Sequence, residues 1–286
     1  MRLVAVLALA LLSAPALAAP AEGGRAHALW LGPRPPAVPR RVVALAPSLT
    51  DMVVALGHAD RLVGVTRYDD APEVARLPRV GGFLDPSPER VLGLRPDLVL
   101  WLTDRGADAA VRRIADLGVP VLATPVVSVS DVLATARVLG AALGDAPAGD
   151  RLSASLSRAI EAARARAARA RRVRVLFVVG RDPLVVAGPG SYPDEVLRLV
   201  GGENVVQGTR PWPVYPLEKA AADDPEVVID AAVLEPREGI SRLSAIPAVR
   251  RGAVRRLAND DALRPGPRLA GALEALYAAV HGEARP

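Results

Sequence analysis

The sequence predicts an α/β protein of two lobes joined by one long helix. Three observations predict it. Short apolar runs alternate with helical patterns from Arg41 onward. A stretch of helix formers free of Gly and Pro fills the middle of the chain. Beyond that stretch the opening pattern starts again. Strands alternating with helices mark a mostly parallel sheet covered by helices. The same features also fit one larger doubly wound domain with a long surface helix.

The elements follow in order. Arg2 precedes an unbroken apolar run over residues 3–12, Ser13 and Pro15 break it, and Ala16-Leu17-Ala18 offers a small-x-small cleavage pattern. Residues 1–18 therefore read as a cleavable secretory signal peptide, too short to span a bilayer as a helix. Residues 19–40 are rich in Pro, Gly and Ala, with Trp30 as the one large anchor, and read as a leader without an element. The N-terminal α/β lobe is expected over 41–146. Its strand-like runs lie at 42–45, 62–65, 98–100 and 119–123. Ser48-Leu49-Thr50-Asp51 has cap-like spacing ahead of a helix from Met52 to a stop at Gly57, and further helical patterns cover 88–94, 107–117 and 130–143.

Residues 147–172 are expected to form the linking helix, drawn from a Gly- and Pro-free run over 150–174 that is mostly Ala, Arg, Leu, Ser and Glu. A helix of this length spans roughly 33 Å. The C-terminal α/β lobe, 173–286, opens with a strand at 173–179. Ser191 and Asp194 repeat the cap spacing ahead of a helix over 195–200 stopped by Gly201-Gly202. A strand follows at 227–229 and a last helix at 268–281. The restart is matched in detail. Glu89 and Glu218 each stand seven residues before Pro-Asp or Pro-Glu and an apolar run. Each is followed by a base, Arg90 or Lys219, and preceded by an aromatic six residues earlier, Phe83 or Trp212.

Composition excludes several classes. The chain has no cysteine, which removes disulfides, thiolate metal sites, cysteine nucleophiles and a lipid-anchoring cysteine. Three histidines, His27, His58 and His281, share no ligand spacing, so no metal site is expected. Gly188-Pro189-Gly190-Ser191 is not a nucleophile elbow and no phosphate loop is present, so no catalytic residue is assigned; its glycines suit a tight turn ahead of a helix. The formal charge of +5 comes from arginines scattered among 31 acidic residues, which reads as solvated surface and not as a nucleic-acid footprint. An exported, unanchored monomer in a periplasm is the expectation.

The segments Arg41-Val42-Val43-Ala44-Leu45-Ala46-Pro47-Ser48, Asp60-Arg61-Leu62-Val63-Gly64-Val65-Thr66, Leu94-Arg95-Pro96-Asp97-Leu98-Val99 and Val200-Gly201-Gly202-Glu203-Asn204, in this order, resemble the class III, helical-backbone substrate-binding proteins of ABC importers. The resemblance covers about residues 41–280 and implies two Rossmann-like lobes joined by one backbone helix, with a ligand cleft between them. It is closest to the cobalamin receptors. Arg210-Pro211-Trp212-Pro213 with Glu218 is similar to their second-lobe loop, Tyr68 with Asp70 and Pro72 to a first-lobe segment, and Arg268 after Pro267 to a late arginine. Residues 259–263 lack the aromatics such a receptor carries. The resemblance implies capture of cobalamin (vitamin B12) or a related corrinoid for an ABC importer, with no cofactor beyond the ligand. A ferric siderophore or haem is the alternative ligand, and an exported protein-interaction or sensory module the alternative of another class.

The residues support a cleft independently. Six of the nine aromatics, Tyr68, Phe83, Trp101, Tyr192, Trp212 and Tyr215, fall at or beyond predicted strand ends, where open α/β sheets bind ligands. Flat faces there suit a wide, partly apolar ring system. Packing within their own loops is the other reading of these aromatics. Arg67, Arg105, Arg181 and Arg210 beside them could bond an anionic or amide-bearing ligand, or be solvated surface. In the resemblance, Glu89 and Glu218 engage arginines on the two transmembrane subunits of the importer; as residues alone they are acids suited to helix N-termini.

Overall fold

In the computed structural model, which describes residues 28–103, 108–233 and 235–282, the chain forms two five-stranded sheets. The expected signal peptide and Arg105 lie outside the described residues. The first sheet takes β1 (Leu29–Leu31), β2 (Val42–Ala44), β3 (Leu62–Gly64), β4 (Leu98–Leu102) and β5 (Val121–Thr124) in the order β1-β5-β4-β2-β3. All pairings are parallel except β1, which runs antiparallel along the edge of β5. The leader expected to carry no element thus supplies an edge strand. Three residues are too few to show an alternating pattern, and the pairing partner lies far away in sequence, Leu29 opposite Ala123.

Helices cover both faces of this sheet. α1 (Pro47–Ala55) and α4 (Val129–Ala142) pack on one face; α2 (Pro88–Gly93) and α3 (Asp108–Asp116) pack on the other. β4 shows the consequence in its sequence. Leu98, Leu100 and Leu102 face the first pair, Val99 and Trp101 the second, so the strand is apolar throughout. α1 corrects one expectation. It begins at Pro47, whose missing N–H suits the first turn, and Ser48 is inside the helix and makes no cap.

α5 (Ala146–Ala167) is the expected long helix, displaced toward the N-terminus. Its cap is Asp145, which accepts from the Ala148 amide, and Pro147 sits in the first turn. Gly149 does not interrupt it. A Cβ there would lie 2.6 Å from the Ala136 carbonyl oxygen of α4, so glycine lets the two helices approach.

The second sheet takes β6 (Val173–Arg181), β7 (Leu184–Val186), β8 (Gly202–Asn204), β9 (Val227–Asp230) and β10 (Val254–Arg256). β7 folds back antiparallel on the end of β6, while β8 and β9 flank β6 in parallel and β10 follows β9. The order β8-β6-β9-β10 repeats the order β3-β2-β4-β5. Strand entry repeats too. The Arg41 amide donates to Asp97 at 2.9 Å, and the Arg174 amide to Glu226 at 3.1 Å. The return bonds run from Asp97 N to Arg41 O and from Glu226 N to Arg174 O. Around this sheet lie α6 (Tyr192–Leu199), α7 (Leu217–Ala222), α8 (Pro247–Arg250) and α9 (Leu269–His281). At α6 the expected cap holds, since Ser191 accepts from the Asp194 amide.

Three apolar clusters result. One lies behind α2 and α3 and another behind α7 and α8. The third runs from the inner face of one sheet, through Leu156, Ile160 and Ala163 of α5, to the inner face of the other. Among the described residues no helix is long and apolar enough to cross a membrane.

Candidate functional site

The carboxyl ends of the two sheets meet. Gly266, beyond β10, lies against Ser48, beyond β2. The Val129 amide, beyond β5, donates to the Glu195 carboxylate of α6 at 2.8 Å. Arg268 Nη2 donates to Asp51 Oδ1 at 2.9 Å and to Asp70 Oδ1 at 2.8 Å, while Arg264 Nη1 reaches Asp70 at 3.1 Å and Asp51 at 3.5 Å. These contacts form the floor between the lobes. Open α/β sheets take their ligands at this end.

On the first lobe, two short segments zip together to present an aromatic pair. The Arg67 amide donates to the Gly81 carbonyl at 2.8 Å, and Thr66 donates through N and Oγ1 to Asp69 at 2.7 and 2.6 Å. Tyr68, half exposed, then stands 5.5 Å from Phe83, with the Arg67 guanidinium 5.1 Å from the centre of its ring. The Tyr68 ring passes so close over Gly82 that a Cβ there would be 3.0 Å from it. Arg67 also binds both oxygens of Asp85 at 2.6 Å, and that hydrogen bond holds the exposed Asp85 carboxyl below its usual range. Leu84 beside them is exposed.

On the second lobe, residues 210–214 run along β7 and its extension. Val186 N donates to Pro213 O, and Gly188 N donates to Pro211 O at 2.9 Å. Only glycine fits at 188, because a Cβ would lie 2.1 Å from the Arg210 carbonyl oxygen. This lays Trp212 and Val214 on the surface, both exposed, with Arg210 exposed beside them. The glycines of 188–190 therefore serve the turn that their spacing suggested and, at Gly188, a close approach that it did not.

Three aromatics expected in the cleft are packed instead. Trp101 alternates away from the inner face and is 5 % exposed among Val91, Val111 and Ile114, its indole N–H without a partner among the described residues. Tyr215 is 5 % exposed in the outer cluster of the second lobe and donates its hydroxyl to Asp223. Tyr192, at the first turn of α6, is 3 % exposed within the shared core. Its hydroxyl has no hydrogen-bond partner among the described residues, and burial together with Glu195 and Asp261 pushes its pKa above the ordinary 10. Strand-end position in sequence did not reveal which way these side chains turn.

Two arginines are likewise engaged by acids of the protein. Arg268 is occupied by Asp51, Asp70 and Asp261 and offers no free guanidinium. Arg181 is buried in a network with Asp230 at 2.9 Å, Glu235 and the Pro236 carbonyl. Arg264, Asp51 and Asp70 are structural members of the site that sequence spacing gave no reason to group. Glu89 and Glu218 are both exposed and both second in a six-residue helix, α2 or α7. Among the described residues, no three His, Cys, Asp or Glu are arranged to hold a metal ion.

Comparison with known proteins gives a consistent picture. The periplasmic binding protein family model matches residues 42–260. The vitamin B12-binding protein of Salmonella choleraesuis (strain SC-B67) is 31% identical over 205 residues, 71% of this chain and 74% of the relative. The vitamin B12-binding protein of Vibrio parahaemolyticus is 26% identical over 237 residues, 82% of this chain and 86% of the relative. The solved periplasmic heme-binding protein RhuT from Roseiflexus sp. RS-1 superposes with a TM-score of 0.76 at 30% identity, covering 84% of this chain and 99% of that one.

Proposed function

This chain belongs to the periplasmic binding protein family, and we propose that its cleft captures cobalamin or a related corrinoid and delivers it to an ABC importer. Proteins of this family are solute receptors, not enzymes. One observation carries the ligand reading: Phe83, partly buried, and Trp212, exposed, hold matched sequence positions in the two lobes, so each lobe offers an aromatic loop at the ligand end of its sheet. On the first lobe Tyr68 enlarges that surface to a pair of rings. A wide macrocycle held between two such faces buries much surface while few rotatable bonds are fixed. The names of the curated relatives support the same ligand.

Haem is the second reading, favoured by the exposed Tyr68 hydroxyl-bearing ring and by the likeness to RhuT. Delivery in either case uses Glu89 and Glu218 as paired docking acids toward basic residues on the importer's transmembrane subunits. Export through a signal peptide at residues 1–18 completes the route, and the receptor acts as a monomer.

Calorimetric titration of the purified protein with cyanocobalamin tests the reading. One-to-one binding, weakened by Trp212→Ala by about tenfold or more for loss of an aromatic anchor, is expected. No heat with cyanocobalamin at two temperatures, and a saturable absorbance change with hemin, would transfer the site to haem.

A further inference from the structure

The floor between the lobes is not made of apolar side chains alone. Asp51 sits on α1 with its side chain only 6 % exposed, and its ion-pair partners are Arg264 and Arg268, both on the other lobe. A buried carboxylate is costly unless paired, so this charge is accommodated only in an arrangement that brings the second lobe to it. Arg268 itself stands at the N-terminal end of the 13-residue α9. A cation there opposes the helix dipole, so α9 gives no reason for an arginine at 268; the acids of the facing lobe do. Asp70 ties the cluster to the ligand side. It lies two residues beyond Tyr68, on the loop whose turn is closed by Thr66 and Asp69. Both guanidiniums hold Asp70, and Asp260 and Asp261 in turn hold Arg264 at 2.9 Å and Arg268 at 3.4 Å.

We propose that Arg264 and Arg268 are positioning residues: through Asp51 and Asp70 they fix the separation of the lobes and the placement of the Tyr68 loop, and so set the width of the cleft. They act through the acids of the facing lobe and not on the ligand. The inference rests on the cleft between the lobes being the binding site, but it does not depend on which ligand fills it. Charge-assisted hydrogen bonds from a planar fork are short and directional, which suits them to holding a spacing better than apolar contact would.

The absence of native cysteine allows a direct measurement. Gly93 and Ala222 are exposed at the ends of α2 and α7, one on each lobe. Nitroxide labels on Gly93→Cys and Ala222→Cys report the distance between lobes by pulsed electron spin resonance in the full chain. A narrow distribution is expected for the parent, and a broadened or displaced one for Arg264→Gln/Arg268→Gln. Cyanocobalamin affinity should fall about tenfold in that variant, through lost preorganisation. An unchanged distribution overturns the proposal, and if affinity nevertheless falls the arginines touch ligand directly. A changed distribution in a protein that binds no cyanocobalamin upholds the positioning role and refutes the ligand. Should the double variant fail to fold, Asp70→Asn, at the half-exposed end of the cluster, gives the same readout: broadening supports the role, and an unchanged distance refutes it.

Discussion

Arg95 and Asp224 are structural counterparts: each is a non-glycine residue in left-handed backbone, at φ 46° and φ 39°, two residues before the acid that closes a strand entry. Together with Asp97 and Glu226 they show that the two lobes share backbone detail as well as strand order. An L side chain in this region costs about 1–2 kcal/mol, part of which glycine returns as conformational entropy. Arg95→Gly and Asp224→Gly are each expected to stabilise the protein by up to about 1 kcal/mol. Urea denaturation of the single variants checks this, and a loss of stability in both would contradict it.

Asp51 and Asp70 share Arg268 yet titrate in opposite directions. Burial raises the pKa of Asp51 above 3.8 despite the hydrogen bond and charge of Arg268. Burial also opposes ionisation of Asp70, but the hydrogen bonds from Arg268 and Arg264 outweigh it and hold its pKa below 3.8. A lowered carboxyl contributes stability above its unfolded pKa, and that contribution is lost as pH falls through the folded value. A raised carboxyl carries a cost at neutral pH that protonation removes. Between pH 6 and 3, the melting temperature of the parent relative to Asp70→Asn should therefore decline, and relative to Asp51→Asn should rise. Parallel curves for both pairs would contradict the assignment.

The buried Tyr192 hydroxyl bears on stability as well. With no hydrogen-bond partner among the described residues, its removal should cost nothing. Tyr192→Phe is expected to be neutral or stabilising by up to about 1 kcal/mol. In an alkaline absorbance titration the same substitution should leave the ionisation near pH 10 unchanged, because Tyr192 titrates above it. Loss of amplitude near pH 10 would show the phenol to be accessible.

For delivery, reversing both proposed docking acids, Glu89→Lys with Glu218→Lys, is expected to abolish ligand uptake by cells and leave ligand affinity in solution unchanged. Both side chains are exposed, so the substitutions leave the packing intact. Normal uptake would refute docking through these acids.

Much of the architecture was legible because parallel strands buried on two faces write themselves as apolar runs, as at 98–102, and because a matched pattern recurs around Glu89 and Glu218. Pro147 and Gly149 obscured the start of α5, since both residues commonly end helices while here one fits the first turn and the other a helix crossing. The site was legible only in part. Tyr68, Phe83 and Trp212 were found on exposed or partly exposed loops, but Trp101 and Tyr215 turn to outer helices by the alternation of a strand and by a hydroxyl bond to Asp223. The arginine cluster joins residues some 200 positions apart, Asp51 and Arg268, and no local spacing encodes such a pairing.

The apolar cluster that crosses from one inner sheet face to the other has a consequence for how the molecule unfolds. Val42 and Leu100 of one lobe, Ile160 of the connecting helix, and Phe177 and Leu276 of the other belong to a single apolar interior. Cutting the chain between the lobes would bare that interior on both fragments, so neither half is a freestanding domain. The protein should melt as one calorimetric unit, with equal calorimetric and van't Hoff enthalpies. Two lobes that repeat one strand order are thereby expected to behave as one thermodynamic object.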